Sequence, residues 1–217
     1  MSPKKNSNIA DCKSEMVKPR RGRPAVPPGL VLKAADALFA DADSPATVTM
    51  DAIAAAAGVG KGTLFRAFGS REGLLNALWA AKLAALRNDV EEGDLPLGPE
   101  TSSRERAVAF LDALLLFKLK NIHLIRALEL GPGVLQSEHY KWMHGLLQHL
   151  IEDAALGAKA GDAVFEAHVL LAGLHIDLVE VMIAGGLSLE AIRQAQAAHA
   201  RAMIDSARFS RNCAKRG

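Results

Sequence analysis

The sequence predicts an all-α protein: a small N-terminal helix-turn-helix domain of three helices, joined by a long helix to a larger helical domain. Three observations predict it. Ala and Leu are abundant while aromatic residues make up only 5% of the chain, a balance that favours helix over sheet. Apolar residues recur at helical spacing along most of the length, and no strand pattern of period 2 persists. Near Gly58 two short helical runs meet across a tight glycine turn, the arrangement whose second helix enters the DNA major groove. With 217 residues, half of them hydrophobic, the chain can bury a sizeable core.

Residues 1–26 are polar and basic and read as a disordered arm. Their densest cluster, Lys18-Pro19-Arg20-Arg21-Gly22-Arg23-Pro24, suits a segment laid along the minor groove through Arg20, Arg21 and Arg23. A solvated tail is the plainer alternative. Pro27 and Pro28 open the first helix, where a missing N–H costs little. Val31, Ala34, Ala35, Leu38 and Phe39 then fall on one face. After a loop, Thr49 is a natural N-cap for a helix carrying Met50, Ile53, Ala54 and Ala57 inward. Gly58 ends that helix in the left-handed conformation that a side chain resists. Lys61 to Phe68 forms the second short helix, with Leu64 and Phe68 on its inner side. Gly69 closes it, Ser70 caps the next helix, and Glu72 sits in the first turn, where the helix dipole favours an acid. These elements delimit a DNA-binding domain over 27–75.

The helix from Ser70 continues through Leu74, Leu75, Leu78, Trp79 and Leu83 to about Asn88, long enough to enter a second domain over 76–207. Residues 91–100 break it. Ser102 and Glu105 form a capping box that opens an apolar helix to about Leu119. A shorter helix follows over Ile122–Leu130, stopped by Gly131-Pro132-Gly133. Three more are expected, about Gln136–Ala155, Asp162–Ala184 and Leu189–Ala207, before a flexible tail over 208–217.

Charge follows this division. Residues 1–75 hold 11 Lys and Arg against 7 Asp and Glu, whereas the remainder holds 15 against 17. The basic excess lies with the helix-turn-helix, as a phosphate-binding end requires. The two cysteines, Cys12 and Cys213, sit in polar terminal segments, and no Cys-x-x-Cys pair exists, so no structural zinc is expected and a reduced cytoplasm fits best. No run of about 18 apolar residues suggests a membrane span. No phosphate loop, nucleotide fingerprint or nucleophile–base arrangement points to an enzyme or to a cofactor.

The stretch Ala57-Gly58-Val59-Gly60-Lys61-Gly62-Thr63-Leu64-Phe65-Arg66-Ala67-Phe68 resembles the signature of the tetracycline-repressor (TetR) family, over about residues 27–80. The resemblance implies a homodimer of helical subunits, each recognition helix reading half of a near-palindromic double-stranded operator, and in most members release by a small-molecule effector. It would place Lys61, Gly62 and Thr63 at the groove-facing start of the recognition helix. Lys61 would meet a guanine or a phosphate, and Thr63 a phosphate or a thymine methyl. Thr49 matches a position that commonly meets phosphate, and Arg71 stands in for a lysine with the same role. Two residues depart from the pattern. Gly60 replaces a capping serine, and Phe65 replaces a tyrosine and so lacks a hydroxyl, with Arg66 available to compensate.

The second domain carries no motif of chemistry. Val164, Leu171 and Leu178 recur seven apart with Ala167, Leu174 and Val181 between them, and Ile192, Gln196, His199 and Met203 share a face of the next helix. In the resembled family the last long helices pair with their twins, which makes Leu171, Leu174, Leu178, Ile192, His199 and Met203 the expected dimer interface. Packing within one subunit is the competing reading. Phe110, Leu114, Phe117, Trp142 and His175 are the expected lining of an effector cavity, although core packing explains the aromatic residues as well, and an interior or interface role explains His175. An architectural DNA binder with no small-molecule effector is the alternative function.

Overall fold

The computed structural model describes residues 27–129, 134–155 and 160–214, and over these it is helical throughout, with ten α-helices and no strand. The expected arm with Arg20, Arg21 and Arg23, and the Gly131–Gly133 stop, lie outside the described residues. Helix α1 spans Pro28–Asp41, α2 Met50–Ala56, α3 Lys61–Phe68 and α4 Arg71–Glu91. Then come α5 (Ser103–Lys120), α6 (Ile122–Glu129), α7 (Glu138–Ala154), α8 (Ala160–Ala172), α9 (Ile176–Ala184) and α10 (Leu189–Ala214).

The first three helices pack around Phe39, Ile53 and Leu64, all essentially inaccessible to solvent. Each such side chain contributes about 1.5–3 kcal/mol by leaving water. Thr49 caps α2, its Oγ1 accepting from Ala52 N at 3.1 Å, and Ser70 caps α4, its Oγ accepting from Gly73 N at 3.0 Å. Gly58 and Gly69 take φ of 66° and 74°, the left-handed region that a Cβ disfavours. Gly58 thus shapes the turn between α2 and α3, and Gly69 the turn between α3 and α4.

Helix α4 carries Leu74, Leu75, Leu78, Trp79 and Leu83 from that domain into the second one. There α5, α7, α8 and α10 form the main packing, while α6 lies against α1, α4 and the 3-10 turn Pro45–Thr47. A carboxylate marks this junction. Asp36 of α1 meets Lys82 of α4 at 2.6 Å and His123 of α6 at 3.0 Å. Burial pushes the Asp36 carboxyl up, but hydrogen bonds from Lys82 and His123 outweigh it and hold the group below its usual range.

Three expectations are corrected. The helix expected over Asp162–Ala184 is two helices, α8 and α9, bent by 51°. Gly173, Leu174 and His175 form a tight turn between them, and His175 is the N-cap of α9. His168 and His175 therefore do not share a helix face. The capping box is half formed. Ser102 Oγ accepts from Glu105 N at 3.5 Å, but the Glu105 carboxylate turns to Arg201 and Arg104. The last helix continues to Ala214, where a flexible tail was expected from 208. Among the described residues no single helix is long and apolar enough to cross a membrane.

Candidate functional site

The N-terminal end of α3 is a small exposed platform. Lys61, Gly62, Thr63, Phe65 and Arg66 all face solvent, while Leu64 is buried in the core and Phe68 packs partly buried against it. One face of an eight-residue helix is thus anchored and the other left open, which is the requirement for entering a groove. Thr49 lies at the start of α2 beside it. Its oxygen accepts from Ala52 N, and its hydroxyl proton stays available for an acceptor such as phosphate. Lys61 pairs with Asp51 at 2.8 Å, both side chains being more than half exposed. Such a pair is worth about 0–1 kcal/mol and exchanges readily for a phosphate. Gly60 is the N-cap of α3 and supplies no side-chain cap.

Arg71 departs from its expected role. Its Nη2 donates to the Pro45 carbonyl at 2.7 Å, its Nε donates to the Val48 carbonyl at 3.3 Å, and the guanidinium lies 5.3 Å over the Phe39 ring. The fork is turned inward as a brace between α4 and the turn before α2, not outward toward a phosphate. It adds a second donor to the Pro45 carbonyl, which already accepts from Val48 N, and supplies one to the Val48 carbonyl.

Behind this platform lies a cavity of about 1040 Å³ walled by α4, α6, α7 and α8. Leu75, Trp79, Ile125, Met143 and Leu171 give it an apolar wall, and His139, Tyr140 and His168 supply polar atoms. The Tyr140 hydroxyl and His168 Nδ1 are 2.7 Å apart, and the His168 and His144 rings lie 4.0 Å apart. His139 Nε2 donates to the Asn76 carbonyl at 3.1 Å. Burial lowers the pKa of His139, and burial with the neighbouring His144 lowers that of His168, so both imidazoles are neutral near pH 7. Burial raises the Tyr140 hydroxyl, which stays protonated. The arrangement offers apolar contact and a few neutral hydrogen-bonding groups, the composition of a small-molecule site.

Of the expected effector residues only His175 lines this cavity. Phe110 and Leu114 are fully buried in the core. Phe110 meets Trp142 edge-on at 5.7 Å, and Trp142 is covered by the Arg87 guanidinium at 4.5 Å. Phe117 packs edge-on against Trp79 at 4.9 Å and so supports the wall from behind. Trp79, Tyr140 and His139 were missed as lining because each reads in sequence as an ordinary helix position. The only signal was the clustering of His139, Tyr140 and His144 within two turns of one helix.

The expected interface residues divide in the same way. Leu171, Leu174 and Ile192 fill the subunit's own core and cannot face a twin. Met203 is partly buried against that core. Leu178 and His199 are exposed. Other large apolar side chains of α8 and α9 are open to solvent, Phe165 at 68% and Val181 at 67% among them. Helix α10 is held to α5 on its inner face by paired Arg104–Asp205 and Arg193–Asp112 contacts of 2.6–2.9 Å.

Comparisons with known proteins agree with the helical fold and its N-terminal helix-turn-helix. Residues 31–78 match the family model for bacterial regulatory proteins of the tetR family. A TetR-like transcriptional regulator from Rhodococcus sp. RHA1 has a similar fold, with a TM-score of 0.55 at 23% identity over 83% of this chain and 96% of its own. A TetR-family transcription regulator from Shewanella sp. PV-4 gives 0.53 at 22% identity over 80% and 95%. The flavonoid-responsive regulator FrrA gives 0.50 at 25% identity over 83% and 95%. No curated protein matches the chain.

Proposed function

We propose that this chain, a TetR-family transcriptional regulator with a helix-turn-helix DNA-binding domain, acts in the cytoplasm as a homodimeric repressor that binds a palindromic operator and is released by a small apolar or amphipathic effector. The observation that carries the reading is that one helix serves both ends. The first turn of α4 follows the recognition helix directly, and its Arg71 and Glu72 line the cavity. An occupant therefore touches the element that supports α3. An architectural DNA binder has no use for such a cavity, and no catalytic step is assigned to the chain.

The groove-facing set is Thr49, Gly60, Lys61, Thr63, Phe65 and Arg66, with Gly62 allowing close backbone approach. Phe65, 39% exposed, offers its ring to a thymine methyl or a sugar. The dimer surface is assigned to the exposed apolar side chains of α8 and α9, namely Phe165, Leu178 and Val181, together with His199 on α10. A two-fold operator needs a two-fold reader. The effector's affinity must differ between the DNA-competent and incompetent states, because a ligand with equal affinity for both shifts nothing.

Nuclease footprinting on DNA upstream of the gene, with sedimentation of the free protein, tests this. Two protected half-sites are expected, their centres about 10 bp or a multiple of that apart, together with a dimer in solution. A monomer that protects DNA without regard to sequence would refute it.

A further inference from the structure

The cavity and the helix-turn-helix share one side chain. Arg71 lines the cavity, and its guanidinium also donates to the carbonyls of Pro45 and Val48 and covers Phe39. Phe39 is the buried anchor of α1. Val48 leads directly into Thr49, the N-cap of α2. A single residue thus touches α1, the entry to α2 and the cavity interior.

The charges around the cavity are uneven. Arg71 and Lys118 are its cations, and Glu72 is the one acid among the described lining residues. Glu72 is exposed, so water screens its field, whereas Arg71 is partly enclosed. Lys118 donates to the Leu174 carbonyl at 3.0 Å and holds the turn between α8 and α9. His139 and His168, with pKa values lowered by burial, are neutral near pH 7. An anion therefore finds positive potential at the Arg71 end and an apolar wall of Leu75 and Trp79 beyond it. A carboxylate oxygen brings a full negative charge to its bond with a guanidinium, an attraction that the uncharged carbonyl acceptors it would displace lack.

Resting on the reading of this cavity as an effector site, we propose that the effector is an amphipathic molecule with an anionic oxygen head, and that Arg71 couples it to DNA binding. The head draws the guanidinium away from the Pro45 and Val48 carbonyls. The turn before α2 loses its brace, and the α2–α3 unit loses its fixed position on α4. Arg71 is a positioning residue: it acts on DNA affinity through the turn and not by touching phosphate.

The test uses the full chain with decanoate and decanol, which share an apolar body and differ in the head. Calorimetry measures their binding without DNA, and anisotropy measures operator affinity. In the wild type, decanoate is expected to bind about tenfold more tightly than decanol and to weaken operator binding by a similar factor. Arg71→Lys keeps the charge but cannot span two carbonyls with one ammonium. It is expected to keep the preference for the acid while starting from weaker operator binding. Arg71→Gln is expected to lose the preference, and its operator affinity no longer responds to decanoate. Thermal unfolding checks that each variant folds, and if Arg71→Gln does not, Arg71→Lys decides alone, since a purely structural role would not separate its two readouts. Equal binding of both probes to the wild type, or an unchanged operator affinity in Arg71→Lys, overturns the proposal while leaving the effector site standing. Binding of neither probe overturns the effector reading along with it.

Discussion

Gly60→Ser is the most informative single change to the DNA-binding face. Gly60 caps α3 with φ −73° and ψ 144°, ordinary values for any residue, and a Cβ there meets nothing closer than Thr63 Oγ1 at 3.9 Å. A serine therefore fits without strain. Thr49, Ser70 and Ser137 each cap a helix by accepting from the N–H three residues on, at 3.0–3.2 Å, and the introduced hydroxyl would do the same with Thr63 N. The cap adds a few tenths of a kcal/mol over glycine. Reduced freedom of the unfolded chain adds about 0.4–1 kcal/mol more. Together these raise Tm by about 2–4 °C for a chain of this size. The hydroxyl proton then faces the groove, where a bond to a charged phosphate is worth about 1.5–3 kcal/mol. With one such bond per half-site, about 3 kcal/mol at the lower end, operator affinity should rise roughly 150-fold. Gly60→Ala shares the unfolded-state gain but has no hydroxyl, so its operator affinity should stay where it is. Thermal unfolding and fluorescence anisotropy on both variants read the two effects separately. A serine variant that is more stable yet binds the operator no more tightly would refute the placement of the α3 N-terminus against the phosphates.

Lys61→Ala should lower the slope of log affinity against log salt by about 0.9 for each phosphate that the ammonium no longer neutralises, read by anisotropy from low to moderate salt. Stability should stay nearly unchanged, because the Asp51 pair is exposed. An unaltered slope would remove Lys61 from the interface. Val181→Glu should dissociate the dimer in sedimentation, with little effect on subunit stability because the side chain is 67% exposed within one subunit. Stability should be level above about pH 6.5 and decline as pH falls below it. His139 and His168 have lowered pKa values in the fold, so the unfolded chain takes up protons first. Thermal unfolding between pH 5 and 8 measures this, and a flat profile across that range would contradict it.

The DNA-binding domain was legible in the sequence because its determinants are local. Thr49, Gly58, Gly69 and Ser70 each act on backbone within a few residues, and α1 to α4 begin within a residue or two of the expected positions. The second domain was legible as helices but not as a site. The turn at Gly173 hides in an apolar run, since one glycine in such a run reads as a tolerated interruption, whereas His175 in fact starts a new helix. That break sends Leu171 and Leu174 into the core in place of an interface. The cavity depends on how α4, α6, α7 and α8 meet, and Trp79 and Tyr140 line it only through that tertiary arrangement. The carbonyl partners of Arg71 lie 23 and 26 residues away in the chain, so motif position alone suggested a phosphate where the fold supplies an internal brace.

That the exposed end of α3 reads a specific operator is tested most directly by fluorescence anisotropy, with DNA from just upstream of the gene titrated against random DNA across a range of salt. Binding to the upstream DNA should be about 10³-fold tighter, together with a steep salt dependence. Equal and weak binding to both DNAs would contradict specific reading by α3.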